Sequence, residues 1–358
     1  MERSPTRLAR SACVQRATRA MTIEDVLVRH ELFWKRADVD RPLVSYSRWP
    51  YASITDFDWG LPQEEGVLLP EMLQVDHFLP QYEALFNAGG PFDGDMPWTA
   101  TAPRAVPWLE ATLGCPIRYS LRNGAMFAEP TTTDWTSLPA PDLEASAWFR
   151  KLREFATAIA NLADGRFPVA MPLLRGPWDL VAALGGMTRL YLDLYDNPTA
   201  LAQIAGRIAE IWVESARQLA DVIPTWHGGQ VGHYGLWAPG LALTTQNDCS
   251  VSVSPDVYAN LMLPADRLAA RASPFEMFHL HSAGLHLLES VLDTIGDRAL
   301  NVTVDPSGPA LDRLIPILAR AQARGVRLHV LVFERDHVAR LSQTLSPIGL
   351  AILCWPRE

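Results

Sequence analysis

The sequence predicts an α/β chain folded as a TIM (β/α)8 barrel with an N-terminal elaboration. Three observations carry that expectation. The 358 residues suit one such barrel, since this architecture runs from roughly 200 to more than 400 residues. Eight short apolar runs alternate with amphipathic stretches, and strand–helix–strand order at that spacing implies parallel pairing. No GxGxxG turn follows the first strand, which counts against a dinucleotide-binding sheet.

The elements follow in chain order. Residues 1–20 hold five Arg and one Glu and have no apolar segment of a secretory signal. Met21 is the expected native start, with residues 1–20 a mis-called extension or a disordered tail. A helix begins after Thr22, a good N-cap, with Glu24 and Asp25 in its first turn. Candidate strands lie at 43–46, 117–121, 169–174, 230–234, 276–280, 300–304, 327–333 and 350–354. Each is mostly apolar or β-branched, and several end in Gly, Pro or a charge. Candidate helices lie at 143–164, 178–184, 198–222, 255–272, 285–295 and 309–324. Asp196-Asn197-Pro198 and Ser254-Pro255-Asp256 are helix-start signals, and Gly325 is a stop. The segment 52–142 is rich in Pro, Trp and acidic residues and is less regular. It reads as helices and a hairpin near the barrel mouth, so residues 21–358 form a single expected domain.

Composition excludes several classes. At 48% hydrophobic and 20% charged, the chain has too much apolar content for disorder. A formal net charge of −9 argues against a nucleic-acid partner. Only Lys35 and Lys151 are lysine, so 29 of the 31 basic residues are Arg, a bias that a GC-rich genome explains. Cys13, Cys115, Cys249 and Cys354 include no CxxC pair, so neither a local zinc knot nor a disulfide framework is expected, and a reducing cytoplasm fits best. No apolar run is long enough to span a membrane.

In a barrel, chemistry gathers at the C-terminal strand ends. The polar residues there are Arg48, Arg175, Trp178, Asp179, His233, Gln246, Asp248, His279, His281, Asp305 and Glu334. His279 and His281, two apart on a strand, share one face. With Asp248 they make a candidate metal site of two histidines and one carboxylate, or an acid/base group. Arg175, beside Gly176-Pro177, is placed to hold an anionic group. Arg48 and Gln246 join the candidate substrate-binding residues, as does His233. Trp178 and Trp237 could wall a pocket through cation–π contact, with core packing as the plainer reading. Asp95, in Phe92-Asp-Gly-Asp95, is either a site residue or turn chemistry.

The run Pro172-Leu-Leu-Arg-Gly-Pro-Trp-Asp-Leu-Val-Ala-Ala-Leu-Gly-Gly186, followed by Leu194-Tyr-Asp-Asn-Pro198, resembles the uroporphyrinogen decarboxylase superfamily. So do Gln246-Asn-Asp-Cys-Ser-Val-Ser-Val-Ser-Pro-Asp-Val-Tyr258 and Phe278-His-Leu-His-Ser-Ala-Gly284. The resemblance runs from about residue 25 to the C-terminus. It implies a TIM barrel and either decarboxylation or methyl transfer involving corrinoid proteins. The decarboxylases' Arg-rich N-terminal loop is reduced to Arg48, their Tyr position holds Ala183, and Ser346-Pro-Ile-Gly349 lacks their late His. The methyltransferases hold zinc with an H-x-C pair and a later Cys, and zinc keeps a bound thiol deprotonated. His281 matches the His, Ala283 replaces the paired Cys, and Cys354 lies near the later one.

The expected function is therefore a methyltransferase-like enzyme acting on a small or corrinoid-linked substrate. A decarboxylase and a non-catalytic ligand-binding or corrinoid-partner-binding barrel are the alternatives. The cofactor is left open, with zinc and a corrinoid supplied by a partner protein as the candidates. A homodimer is left open.

Overall fold

The computed structural model describes residues 21–46, 57–132, 134–135 and 142–355. Its centre is a six-stranded parallel sheet. The strands lie in the order Leu43–Ser45, Leu350–Cys354, Arg327–Val332, Ala299–Thr303, Phe275–His281 and Ala242–Gln246. Helices Leu263–Ala270, Leu288–Ile295, Leu311–Ala323 and Arg335–Thr344 fall between successive strands, as parallel crossovers require. A parallel bridge joins Ala100 to Val169, with Ala100 N donating to Pro168 O (3.1 Å) and Ala170 N to Ala100 O (2.8 Å).

Both faces of this sheet are buried, which is why the strands read as nearly unbroken apolar runs. Phe278, Leu280, Leu300, Val302, Leu328, Val330, Leu350 and Ile352 join the larger core, packed with helix residues such as Val291, Leu314 and Leu341. The alternate positions Met277, Ala299, Leu331, Ala351 and Leu353 form a second cluster with Leu43 and with Phe33 and Trp34 of the Ile23–Lys35 helix. One row of the second face is polar. Gln246, His279, Asn301 and His329 are register neighbours across four strands.

The helix starts follow the local chemistry. Thr22 caps its helix by accepting from Asp25 N, and the Asp25 carboxylate accepts in return from Thr22 N. Ser254 Oγ accepts from Val257 N at the next predicted start. The 255–272 stretch is helical from Pro255 to Ala270 but not α-helical throughout. A π turn at Tyr258–Met262 separates Pro255–Val257 from Leu263–Ala270.

Two expected barrel strands lie elsewhere. Ile117–Ser120 is a strand, but it pairs antiparallel with Gly66–Leu68 and Ala125–Ala128 in a separate sheet of the elaboration. The 230–234 run contracts to Gln230–Val231, paired antiparallel with Trp237–Ala238. The sheet strand in that region is Ala242–Gln246. Its Thr244, Thr245 and Gln246 broke the apolar pattern that marks the other strands. The 169–174 run contributes the single bridge at Val169. The elaboration also carries the helices Val75–Gly89 and Trp108–Thr112. Residues 1–20 and Arg48 lie outside the described residues.

Candidate functional site

The C-terminal ends of the central strands open into a cavity of about 560 Å3. Asp248, His279 and His281 line it together with Gln246, Arg175 and Tyr234. Trp108, Phe333 and Trp355 supply aromatic wall, and Gly124 to Met126 of the elaboration's hairpin form part of the rim.

Two residues apart on one strand, His279 and His281 project from the same face, with ring centroids 4.9 Å apart. Each Nε2 lies 3.8 Å from Asp248 Oδ1. One nitrogen from each histidine and one Asp248 oxygen lie within 4.8 Å of one another. Asp248 Oδ2 accepts from Gln246 Nε2 at 2.8 Å, whereas the buried Oδ1 has no hydrogen-bond partner.

The remaining ring nitrogens are occupied. His281 Nδ1 donates to Asp305 Oδ1 at 2.6 Å. Asp305 Oδ2 in turn accepts from Ser282 N (2.9 Å) and Ser282 Oγ (2.8 Å). That hydrogen bond to Asp305, aided by the Asp248 charge and against burial, raises the His281 pKa. Burial alone would raise Asp305, but the bonds from His281 and Ser282 outweigh it and hold the carboxyl below its usual value. His279 Nδ1 lies 2.5 Å from Asn301 Oδ1 and 2.9 Å from the Tyr234 hydroxyl. Burial pushes His279 down to about 4, so its ring is neutral at pH 7.

The Asp248 loop is held from behind. Asp179, in the first turn of the Pro177–Gly185 helix, accepts from Asp248 N (3.1 Å), Cys249 N (2.9 Å) and Gln246 Nε2 (3.2 Å). Burial and then the neighbouring Asp248 charge raise its pKa; burial likewise raises that of Asp248. Gly176 lets the two segments touch, because a Cβ there would sit 1.8 Å from the Gln246 carbonyl oxygen. The Arg175-Gly176-Pro177 signal therefore reports a close backbone approach as well as a helix start.

Arg175 lines the cavity and pairs through Nε with Glu110 Oε1 at 3.2 Å. Glu110 is buried, and burial raises its pKa despite the Arg175 charge. Arg104 also lines the cavity, its guanidinium 5.9 Å from the Trp355 ring centroid.

Several expected site residues lie elsewhere. Trp178 is fully buried in the main core, its indole donating to Met262 O at 2.8 Å, so it walls no pocket. Trp237 packs with Trp226 and Val231, and its carbonyl accepts from Trp34 Nε1. The apolar bulk of each indole won over cation binding. Asp95 holds Arg29 (2.9 Å) and Arg41 (2.5 Å) and accepts from Val44 N (2.8 Å), which ties the N-terminal helix to the first strand. It is an ion-pair anchor and lines no part of the cavity. His233 is buried, edge-on to Tyr234 at 5.2 Å, and burial drives its pKa well below the usual value. It backs Tyr234 and does not border the cavity. Cys354 is buried on the opposite face of its strand, in the main core, so no thiol joins the two histidines from there.

Tyr234, Asn301, Arg104 and Glu110 were missed as site residues. Asn301 had a signal of its own, a polar residue inside an apolar run. Arg104 and Glu110 had none, because they sit in the irregular elaboration.

Neither the protein-family models nor the curated proteins yield a match to this chain. Among solved structures, a methyltransferase from Methanosarcina mazei has the same fold, with a TM-score of 0.62 at 13% sequence identity. The match covers 92% of this chain and 93% of that one. Among the described residues, no helix is long and apolar enough to cross a membrane.

Proposed function

We propose that the chain is a methyltransferase-like enzyme that works on a small or corrinoid-linked substrate in the strand-end cavity, with a divalent metal held by Asp248, His279 and His281. The convergence of those three side chains on one point carries the reading. Asp248 Oδ1, buried without a hydrogen bond and facing two imidazole nitrogens, is an acceptor that a cation would satisfy. Ligand atoms in a tetrahedral zinc site sit about 3.4 Å apart, given metal–ligand bonds of about 2.0–2.1 Å. The two 3.8 Å separations need only a small inward adjustment, and the third pair, within 4.8 Å, needs a larger one. Three protein ligands facing a cavity leave a position for substrate, the pattern of a catalytic site.

A bound metal would supply Lewis acidity and hold a substrate heteroatom in its deprotonated form. The chain's own groups do the rest. Asp305 orients His281, Gln246 and Asp179 position Asp248, and Arg175 receives an anionic part of the substrate. The fold shared with a methyltransferase supports methyl transfer. The same reading takes the sheet as a closed eight-stranded barrel, with the segments bridged at Ala100 and Val169 completing the ring. Two arginines at the cavity favour decarboxylation of an acidic substrate as the second reading.

Metal analysis of chain purified without chelator tests the proposal. One equivalent of metal, lost in His281→Ala, is expected; protein free of metal after reconstitution with zinc or cobalt overturns it. Methyl transfer from methylcobalamin to a panel of thiols, scored against carbon dioxide release from carboxylates, separates the two activities.

A further inference from the structure

A polar chain crosses the inner face of the sheet behind Asp248, His279 and His281. Tyr234, His279, Asn301 and His329 are all buried. Asn301 Nδ2 donates to His329 Nδ1 (2.5 Å), and Asn301 Oδ1 lies 2.5 Å from His279 Nδ1. The amide has one acceptor end and one donor end. Asn301 Nδ2 also lies 3.4 Å from His329 O, a carbonyl that only accepts, so the donor end faces His329 and the oxygen, which only accepts, faces His279. His279 then carries its proton on Nδ1 toward Asn301, with the Tyr234 hydroxyl 2.9 Å from the same nitrogen as a second acceptor, and Nε2 is left bare toward Asp248. A reversed amide would move the proton to Nε2 and point a hydrogen at Asp248.

We propose that Asn301 is a positioning residue, oriented by His329, that fixes His279 in the tautomer whose bare Nε2 faces Asp248 and His281. The proposal rests on reading His279 as a metal ligand. It gives the two histidines unlike supports. His281 leans on the Asp305 carboxylate, which adds negative charge behind the ring, whereas His279 leans on a neutral amide, which fixes geometry without adding charge. Supporting partners of this kind set ring orientation and tautomer and are commonly worth about 10–100-fold in metal affinity.

The test uses the full chain labelled with 15N-histidine. Long-range proton–nitrogen spectra of the metal-free protein assign the tautomer, and Zn2+ or Co2+ competition against a chromophoric chelator gives affinity. In the unsubstituted protein, His279 should be protonated on Nδ1. In Asn301→Leu, the tautomers should mix, and Co2+ affinity should fall about 10–100-fold with an altered visible spectrum. Asn301→Asp keeps an acceptor toward His279 and should stay within about 3-fold of the parent, a margin well inside the loss expected when such a support is removed, which separates positioning from loss of packing. In a His279→Ala background, Asn301→Leu should cost nothing further. An unchanged tautomer and unchanged Co2+ binding in a folded Asn301→Leu protein would overturn the proposal. An ordered Nδ1–H tautomer, lost in Asn301→Leu, in a protein that takes up no metal would leave the positioning intact and sink the metal reading instead.

Discussion

Asp266→Asn should change how stability depends on pH. Asp266 sits in the Leu263–Ala270 helix and is 1% exposed. Its Oδ2 accepts from Asn247 Nδ2 (2.7 Å) and the Tyr258 hydroxyl (2.9 Å), while Oδ1 has no hydrogen-bond partner. The nearby charge that acts on it is the like charge of Asp179. Burial, partly offset by the two hydrogen bonds, pushes its pKa from 3.8 up to about 7. The folded state therefore binds this proton more tightly than the unfolded state. The stabilisation is complete below pH about 4 and is lost as pH rises toward 7. A pKa displacement from 3.8 to about 7 corresponds to ~4 kcal/mol, at ~1.4 kcal/mol per pH unit across the window. Asparagine keeps an oxygen for Asn247 and Tyr258 and cannot ionise. Urea unfolding at intervals from pH ~3 to ~8.5, a range that brackets the window, gives the difference, variant minus parent, in which distant titrations cancel. That difference should climb by several kcal/mol and level off above pH ~7. Parallel stability profiles for the two proteins would refute the burial argument, because Asp266 would then titrate alike folded and unfolded.

Gly176→Ala places a Cβ 1.8 Å from a backbone oxygen that cannot rotate away. It should cost at least ~2 kcal/mol and, by shifting Gln246 and Asp248, weaken Co2+ binding; a folded variant with parental melting and metal affinity would contradict the close approach. Asp95→Ala removes the carboxylate between Arg29 and Arg41, which both keep Pro42 O, and should cost about 1.5–3 kcal/mol in denaturation experiments, with metal content of the folded fraction unchanged. Cys354→Ala should lower stability by about 1 kcal/mol and leave bound metal at the parental level; metal loss would bring the thiol back into the site.

Much of this was legible in the sequence because it is local. Thr22 and Ser254 cap helices with hydroxyls that reach only three residues ahead. His279 and His281 share a face because a strand alternates every second residue. Long apolar runs marked strands buried on both sides. The same rule hid Ala242–Gln246, whose Thr244, Thr245 and Gln246 are polar and whose Gln246 lines the cavity. Ile117–Ser120 was legible as a strand but not by its partners, since pairing direction is a long-range property.

The sequence by itself determined the α/β class, the parallel core, several helix starts and the shared strand face of His279 and His281. Tertiary structure decided what those residues meet. It brought Asp305, Asn301 and Tyr234 to the remaining ring nitrogens, delivered Arg104 and Glu110 from the elaboration, and withdrew Trp178, Trp237, Asp95 and Cys354 to packing or ion-pair duties. The reason is distance along the chain. Hydrogen-bond periodicity and capping act over a few residues, whereas a site gathers side chains tens to hundreds of residues apart. Which of two equally polar or equally aromatic residues faces the cavity depends on how the sheet and its elaboration fill space.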